Sequence, residues 1–182
     1  MPVPLQTLFD NLLHVASAAQ TDWGALHPLL VHFPLVLLLI APLFVLAGLV
    51  LFQQRSSLYG CALAMVLLGT LSLYITASSG EMAGEKLTKL SAETVQTLET
   101  HYELAELAEK IFLGLSAAAL ALYMLLVFSK WNAKRGVEFS AALVFLLAYG
   151  LGAIILLNAA HYGGKLVHKH NVHTSLYSKD RP

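Results

Sequence analysis

The sequence predicts an all-α integral membrane protein, an antiparallel bundle of four transmembrane helices with an interfacial helix before it. Three observations carry that expectation. Of 182 residues, 57% are hydrophobic and only 12% are charged, whereas a soluble domain carries about 25% charged residues. Four apolar runs, at about residues 29–52, 59–77, 111–128 and 137–160, each approach the ~20 helical residues that cross a bilayer core. Two tight connections, QQRSS and SKWNAKRG, force the helices they join to lie antiparallel. The 11 basic and 11 acidic residues balance, so no net field draws nucleic acid. A lone cysteine, Cys61, excludes an internal disulfide, and without a CxxCH motif there is no cysteine-attached c-type haem.

Residues 1–24 form an N-terminal segment in which residues 5–19 are a short amphipathic helix suited to the membrane surface. The membrane domain covers residues 25–173, and a polar tail closes the chain at 174–182. In the first span, HPLLVHFP precedes a continuous apolar run, which lipid tolerates only with its backbone bonded internally as helix. Pro28 suits a first helical position, and Pro34 frees a carbonyl near Leu30. The first 26 residues hold no Lys or Arg, and the run is too long for a signal-peptide core.

After the second span, SSGEMAGEK reads as a turn. A helix then begins at a Ser91 cap. Val95, Leu98, Tyr102, Ala105 and Ala108 share its apolar arc, with Glu99, Glu103, Glu106 and Lys110 on the solvated arc. This helix continues into the third span as an extramembrane extension. In the fourth span Asn158, His161 and Lys165 form a polar stripe beside Gly163-Gly164, a pair able to end a helix or admit a close neighbour. Arg55, Lys130, Lys134 and Arg135 in the tight connections place both termini outside the cytoplasm.

The eight histidines, at 14, 27, 32, 101, 161, 168, 170 and 173, all fall at the outer ends of these helices. A rise of ~1.5 Å per residue puts His32, His161 and Glu81 at one depth, with His27 above them and His101 higher again. His101 lies on the apolar arc and faces the bundle. Neutral imidazole binds haem iron and other transition metals, and ionisable groups in a membrane are functional candidates. The expectation is b-type haem held by His32 and His161, with His101 the competing axial ligand and His27 beside them. The alternatives are a non-haem metal held by these histidines with Glu81 or Glu85, or an accessory subunit whose histidines only hydrogen-bond. His170 and the tract HKHNVH, with His168 and His173, are weaker metal candidates. No Walker loop, GxGxxG, HExxH or GxSxG is present.

HPLLVHFP at 27–34, SGEMAG at 79–84, His101, and AHYGGKLVHKHNV at 160–172 resemble the bacterial membrane family known as domain of unknown function 2231, over about residues 25–173. The pattern falls on His27, Pro28, His32, Pro34, Gly80, His101, His161, Gly163, Gly164 and His170. It departs at His168, where a tyrosine is usual, and at Asn171, where a glycine is usual. The resemblance implies a four-span protein of the bacterial inner membrane. Fusion of some members to c-type cytochrome modules implies redox chemistry on the outer face. The expected role is electron transfer between quinol and a periplasmic cytochrome or respiratory partner, rather than stand-alone catalysis.

Overall fold

The computed structural model describes residues 4–125 and 135–174. The basic connection at 129–134, the end of the third predicted span beyond residue 125, and the tail from 175 onward lie outside the described residues. Helix α1 (Leu5–Thr21) leads through a 3-10 turn (Trp23–Leu26) and one helical turn, α2 (His27–Leu30), into α3 (His32–Val50). Three long helices follow: α4 (Arg55–Gly84), α5 (Ala92–Tyr123) and α6 (Arg135–His168). Among the described residues, three segments are long and apolar enough to cross a membrane: Trp23–Val50, Phe52–Gly84 and Gly136–His168. Helix α5 is apolar only beyond Lys110, and its apolar half is described to residue 125.

Close contacts set the packing. Gly24 lies against Ala83, Gly69 against Leu38, and Gly48 under the Tyr59 ring, so α3 and α4 run antiparallel. Thr70 meets Ser116, hydroxyl to hydroxyl at 2.9 Å, while Tyr102 reaches the Gly80 carbonyl at 3.3 Å, which makes α5 antiparallel to α4. Gly152 packs on Ile111 and Leu115, fixing α6 against α5. The interior is built from Leu38, Ala41, Val66, Phe112, Phe145 and Tyr149. The outer surfaces are as apolar as the core: Phe33, Leu43, Val50, Val144, Leu147 and Leu151 are all exposed. Helices apolar all round belong in lipid, and this accounts for the low charge content.

Further polar contacts join the helices. Pro42 has no N–H to offer the Leu38 carbonyl one turn back, and the buried Tyr149 hydroxyl donates to that carbonyl at 2.7 Å. At the α3–α4 connection, Glu138 is buried and accepts from Arg55 at 2.6 Å and from Tyr59 at 2.9 Å.

One local expectation changes. SGEMAG is the last turns of α4 and not a loop, because helix α4 continues to Gly84. Of the two roles open to Gly163-Gly164, the pair does not end the fourth helix, which runs on to His168, and Gly163 instead admits a close neighbour, the His101 ring.

Candidate functional site

At the end of the bundle away from Glu138, two imidazoles meet. Asp22 caps the 3-10 turn, accepting from the Ala25 N–H at 3.2 Å, and pairs with Lys86 at 2.5 Å. With Gly24 seated on the Ala83 backbone, these contacts fasten the start of the first membrane segment to the end of α4. His27 is thereby carried to α4, where its Nδ1 lies 3.0 Å from the Thr76 carbonyl and 3.2 Å from the Ser79 hydroxyl. Ser79 is fully buried and donates to the same carbonyl at 2.7 Å. A methyl built on Gly80 would lie 2.8 Å from His27 Cε1, so this close seat requires glycine.

His101 is held in a parallel way. Its Nδ1 lies 2.8 Å from the Ala159 carbonyl on α6. A methyl on Gly163 would come within 3.2 Å of its Cε1. Carbonyl oxygens only accept, so in each ring Nδ1 carries the hydrogen and Nε2 keeps its lone pair. Burial holds His101 below its ordinary value of 6.5, against the pull of the Ala159 carbonyl, and this favours the neutral, ligating form. The two rings stand with centroids 6.3 Å apart and planes at 81°.

Two cavities flank this pair. The larger, about 540 Å³, runs into the bundle along Val31, Pro34, Leu35, Leu73 and Leu156 and opens between α4 and α5 past Glu81, Glu85, Glu106 and Glu109. The smaller, about 410 Å³, lies toward the end of the bundle among Pro28, Ala83, Leu87, Gly163, Leu166 and the segment Val172–Thr174. His27, Gly80, Gly84, Leu98, His101 and Tyr102 line both. The Thr76 hydroxyl, of a residue on the wall of the larger cavity, is buried and has no hydrogen-bond partner among the described residues. Buried hydroxyls are rarely left so.

The structure thus brings together His27 and His101, and it does not bring His32 to His161. His32 is exposed and reaches the Leu29 carbonyl of its own turn, at 3.3 Å. His161 is exposed and lies against the Tyr162 ring. Neither lines a cavity around the pair. The expected depth set His101 above His27, whereas the α5 register lowers it. Tyr123 is the α5 residue that lies opposite Gly60, near the start of α4. Counted from Tyr123, His101 is about 33 Å up the helix, level with Ser79 and Ala159. Glu81 and Glu85 edge the larger cavity as exposed side chains. His170 bridges Thr94 and Thr97, at 3.2 and 3.1 Å, and His168 is exposed on the last turn of α6. His173, expected only as part of a loose tract, lines the smaller cavity. Among the described residues no three His, Cys, Asp or Glu side chains converge closely enough to share a metal ion.

The apolar helices and their polar, histidine-bearing end define a helical membrane protein. More particularly, the family described as predicted membrane protein (DUF2231) matches residues 24–176, and the chain belongs to that family. No curated protein and no solved structure matches.

Proposed function

We propose that this chain is a four-span protein of the bacterial inner membrane that holds b-type haem between His27 and His101. It would pass electrons between quinol and a periplasmic cytochrome or partner enzyme. One observation carries the reading: two imidazoles, each pinned through Nδ1 to a carbonyl, stand with centroids 6.3 Å apart beside two cavities. Metal-bound histidines characteristically donate the other ring N–H to such a partner, which sets tautomer and orientation. Two imidazole–metal bonds of about 2.0–2.1 Å end to end, with a ring radius added at each side, separate the centroids by roughly 6–6.5 Å. The observed separation is 6.3 Å.

The cavities match a flat group that extends to both sides of the histidine axis. Each falls within the ~300–1,000 Å³ usual for cofactor sites. The partnerless Thr76 hydroxyl supports a bound group in the larger one. A porphyrin brings four nitrogens of its own and asks the protein for at most two axial ligands, whereas a bare tetrahedral ion asks for three or four protein ligands. The two-histidine set therefore favours haem over the non-haem alternative. When bound, such a haem supplies reversible one-electron transfer. The chain's own part is to present two neutral imidazoles, exclude water with apolar walls, and keep the site near one face of the membrane. Basic residues in the short connections support a reading in which that face lies outside the cytoplasm. The exposed apolar residues Leu5, Leu8, Phe9, Leu12 and Leu13 of α1 suit that helix to lie on a membrane surface.

The test is an optical spectrum of detergent-purified protein expressed with ample haem, oxidised and then reduced with dithionite. A Soret band that sharpens, with a split visible region, is expected. His27→Ala and His101→Ala should each abolish the low-spin spectrum, while His32→Ala and His161→Ala leave it intact. Colourless protein that cannot be reconstituted would overturn the proposal, and loss of the band only in the His32 and His161 variants would overturn the ligand assignment.

A further inference from the structure

The two cavities differ in charge. Four carboxylates, Glu81, Glu85, Glu106 and Glu109, edge the larger one; among the described residues no acidic side chain lines the smaller one. The smaller cavity is closed instead by the chain that follows α6. Asn171 takes a left-handed conformation, φ 53°, and the helix end is tied off by Val172 N–H on the Leu166 carbonyl at 2.9 Å. The strap that results is anchored on α5 by the His170 bridge to Thr94 and Thr97 and by Lys169 to Glu93 at 2.5 Å. At its far end the Thr174 hydroxyl reaches the Ala25 carbonyl at 3.3 Å. Val172, His173 and Thr174 are thereby set on the cavity wall.

Resting on the haem reading above, we infer that these differences orient the macrocycle: its two carboxylate-bearing side chains lie in the smaller cavity, under the strap, with His173 and Thr174 as donors to them. The reverse orientation would bring two carboxylates against the glutamates of the larger cavity, where Glu106 is paired with Lys110 at 2.6 Å but the net charge is still acidic, and like charges brought together repel. In the smaller cavity the carboxylates meet an imidazole N–H and a hydroxyl, and hydrogen bonds to an ionised acceptor are the stronger kind. The vinyl and methyl edge of the ring then faces Leu35, Leu73 and Leu156 in the membrane-facing cavity. To donate to such a carboxylate Thr174 would give up its bond to the Ala25 carbonyl, which lies at the long end of hydrogen-bond range at 3.3 Å.

Full-length protein in detergent is titrated with two probes, haem b and its uncharged dimethyl ester. In the wild type both should give the bis-histidine spectrum. His173→Glu, an exposed position on the strap, should weaken haem b by about tenfold or more and leave the ester unchanged. His173→Gln, which keeps an N–H donor, should stay close to wild type with haem b. If His173→Glu binds haem b as tightly as wild type, the orientation is overturned while the haem reading stands. The orientation also falls if the variant weakens both probes alike, since the strap is then only a structural tie. Wild-type protein that binds neither probe removes the haem reading, and this inference with it.

Discussion

His101 shows how one side chain is tuned by where it is placed. Its ring would gain water by turning outward, yet the Ala159 carbonyl and the space above Gly163 hold it inside. Burial outweighs the hydrogen bond and lowers its pKa from 6.5. The sign for stability follows by linkage. Above 6.5 both folded and unfolded chains carry a neutral ring. As the pH falls below 6.5 the unfolded chain takes up a proton that the folded chain refuses, so stability is lost until the lowered folded value is reached. Haem-free protein in detergent should therefore unfold more easily at pH 5.5 than at pH 7.5. In His101→Gln that decline should be visibly shallower, read as the difference between the thermal midpoints of the two proteins at each pH. Identical slopes in the two proteins would show that His101 carries no such linkage. Part of this was legible in the sequence, because His101 falls on the apolar arc of its helix. The carbonyl that holds it was not, because Ala159 lies 58 positions away and only the α5–α6 register brings it near.

At the scale of elements, the helices were legible because hydropathy is a local signal, whereas their ends and registers were not. SGEMAG and Gly163-Gly164 contain turn residues, yet both stay helical because α4 and α6 continue past the apolar runs to build the site. His32 and His161 stand exposed, away from the two cavities, for a related reason. A count along one helix ignores the turn at Trp23–Leu26, which brings His27 inward, and the α5 register marked by Tyr123 against Gly60. Register within the bundle also rests on Pro42 of α3 and Tyr149 of α6. Tyr149→Phe leaves the Leu38 carbonyl with no donor and should cost about 1 kcal/mol, the scale measured for hydrogen bonds between membrane helices. In a Pro42→Ala background residue 42 regains its N–H, the carbonyl can be satisfied within α3, and the same Tyr149→Phe change should cost much less. Reversible unfolding of the four proteins gives the cycle directly. Equal costs in the two backgrounds would mean that the tyrosine packs its ring and does not complement the proline.

The whole molecule is asymmetric along its length. One end is closed by the buried Glu138 with Arg55 and Tyr59, and the middle is filled by Leu38, Val66, Phe112 and Tyr149. The other end encloses cavities of about 540 and 410 Å³ around His27 and His101. Apolar voids forgo packing contacts, so the helix ends beside them should open first in haem-free protein, as sub-global units of lower stability. Amide exchange should be slow around Gly69–Leu73 and Phe112–Ser116 and faster around residues 79–84, 98–102 and 159–164. A ligand bound only to the closed form adds stability by mass action, about 2.7 kcal/mol at a hundred times its dissociation constant. That gain should appear where the ligand sits. Adding haem b should slow exchange in those three stretches by up to about a hundredfold, with little change near Glu138, where opening does not expose the site. Uniform slowing along every helix would mean that the bundle opens only as one unit. No slowing at the histidine end, in protein that visibly binds haem, would place the haem elsewhere. Only protection confined to that end supports a preformed bundle that the cofactor completes.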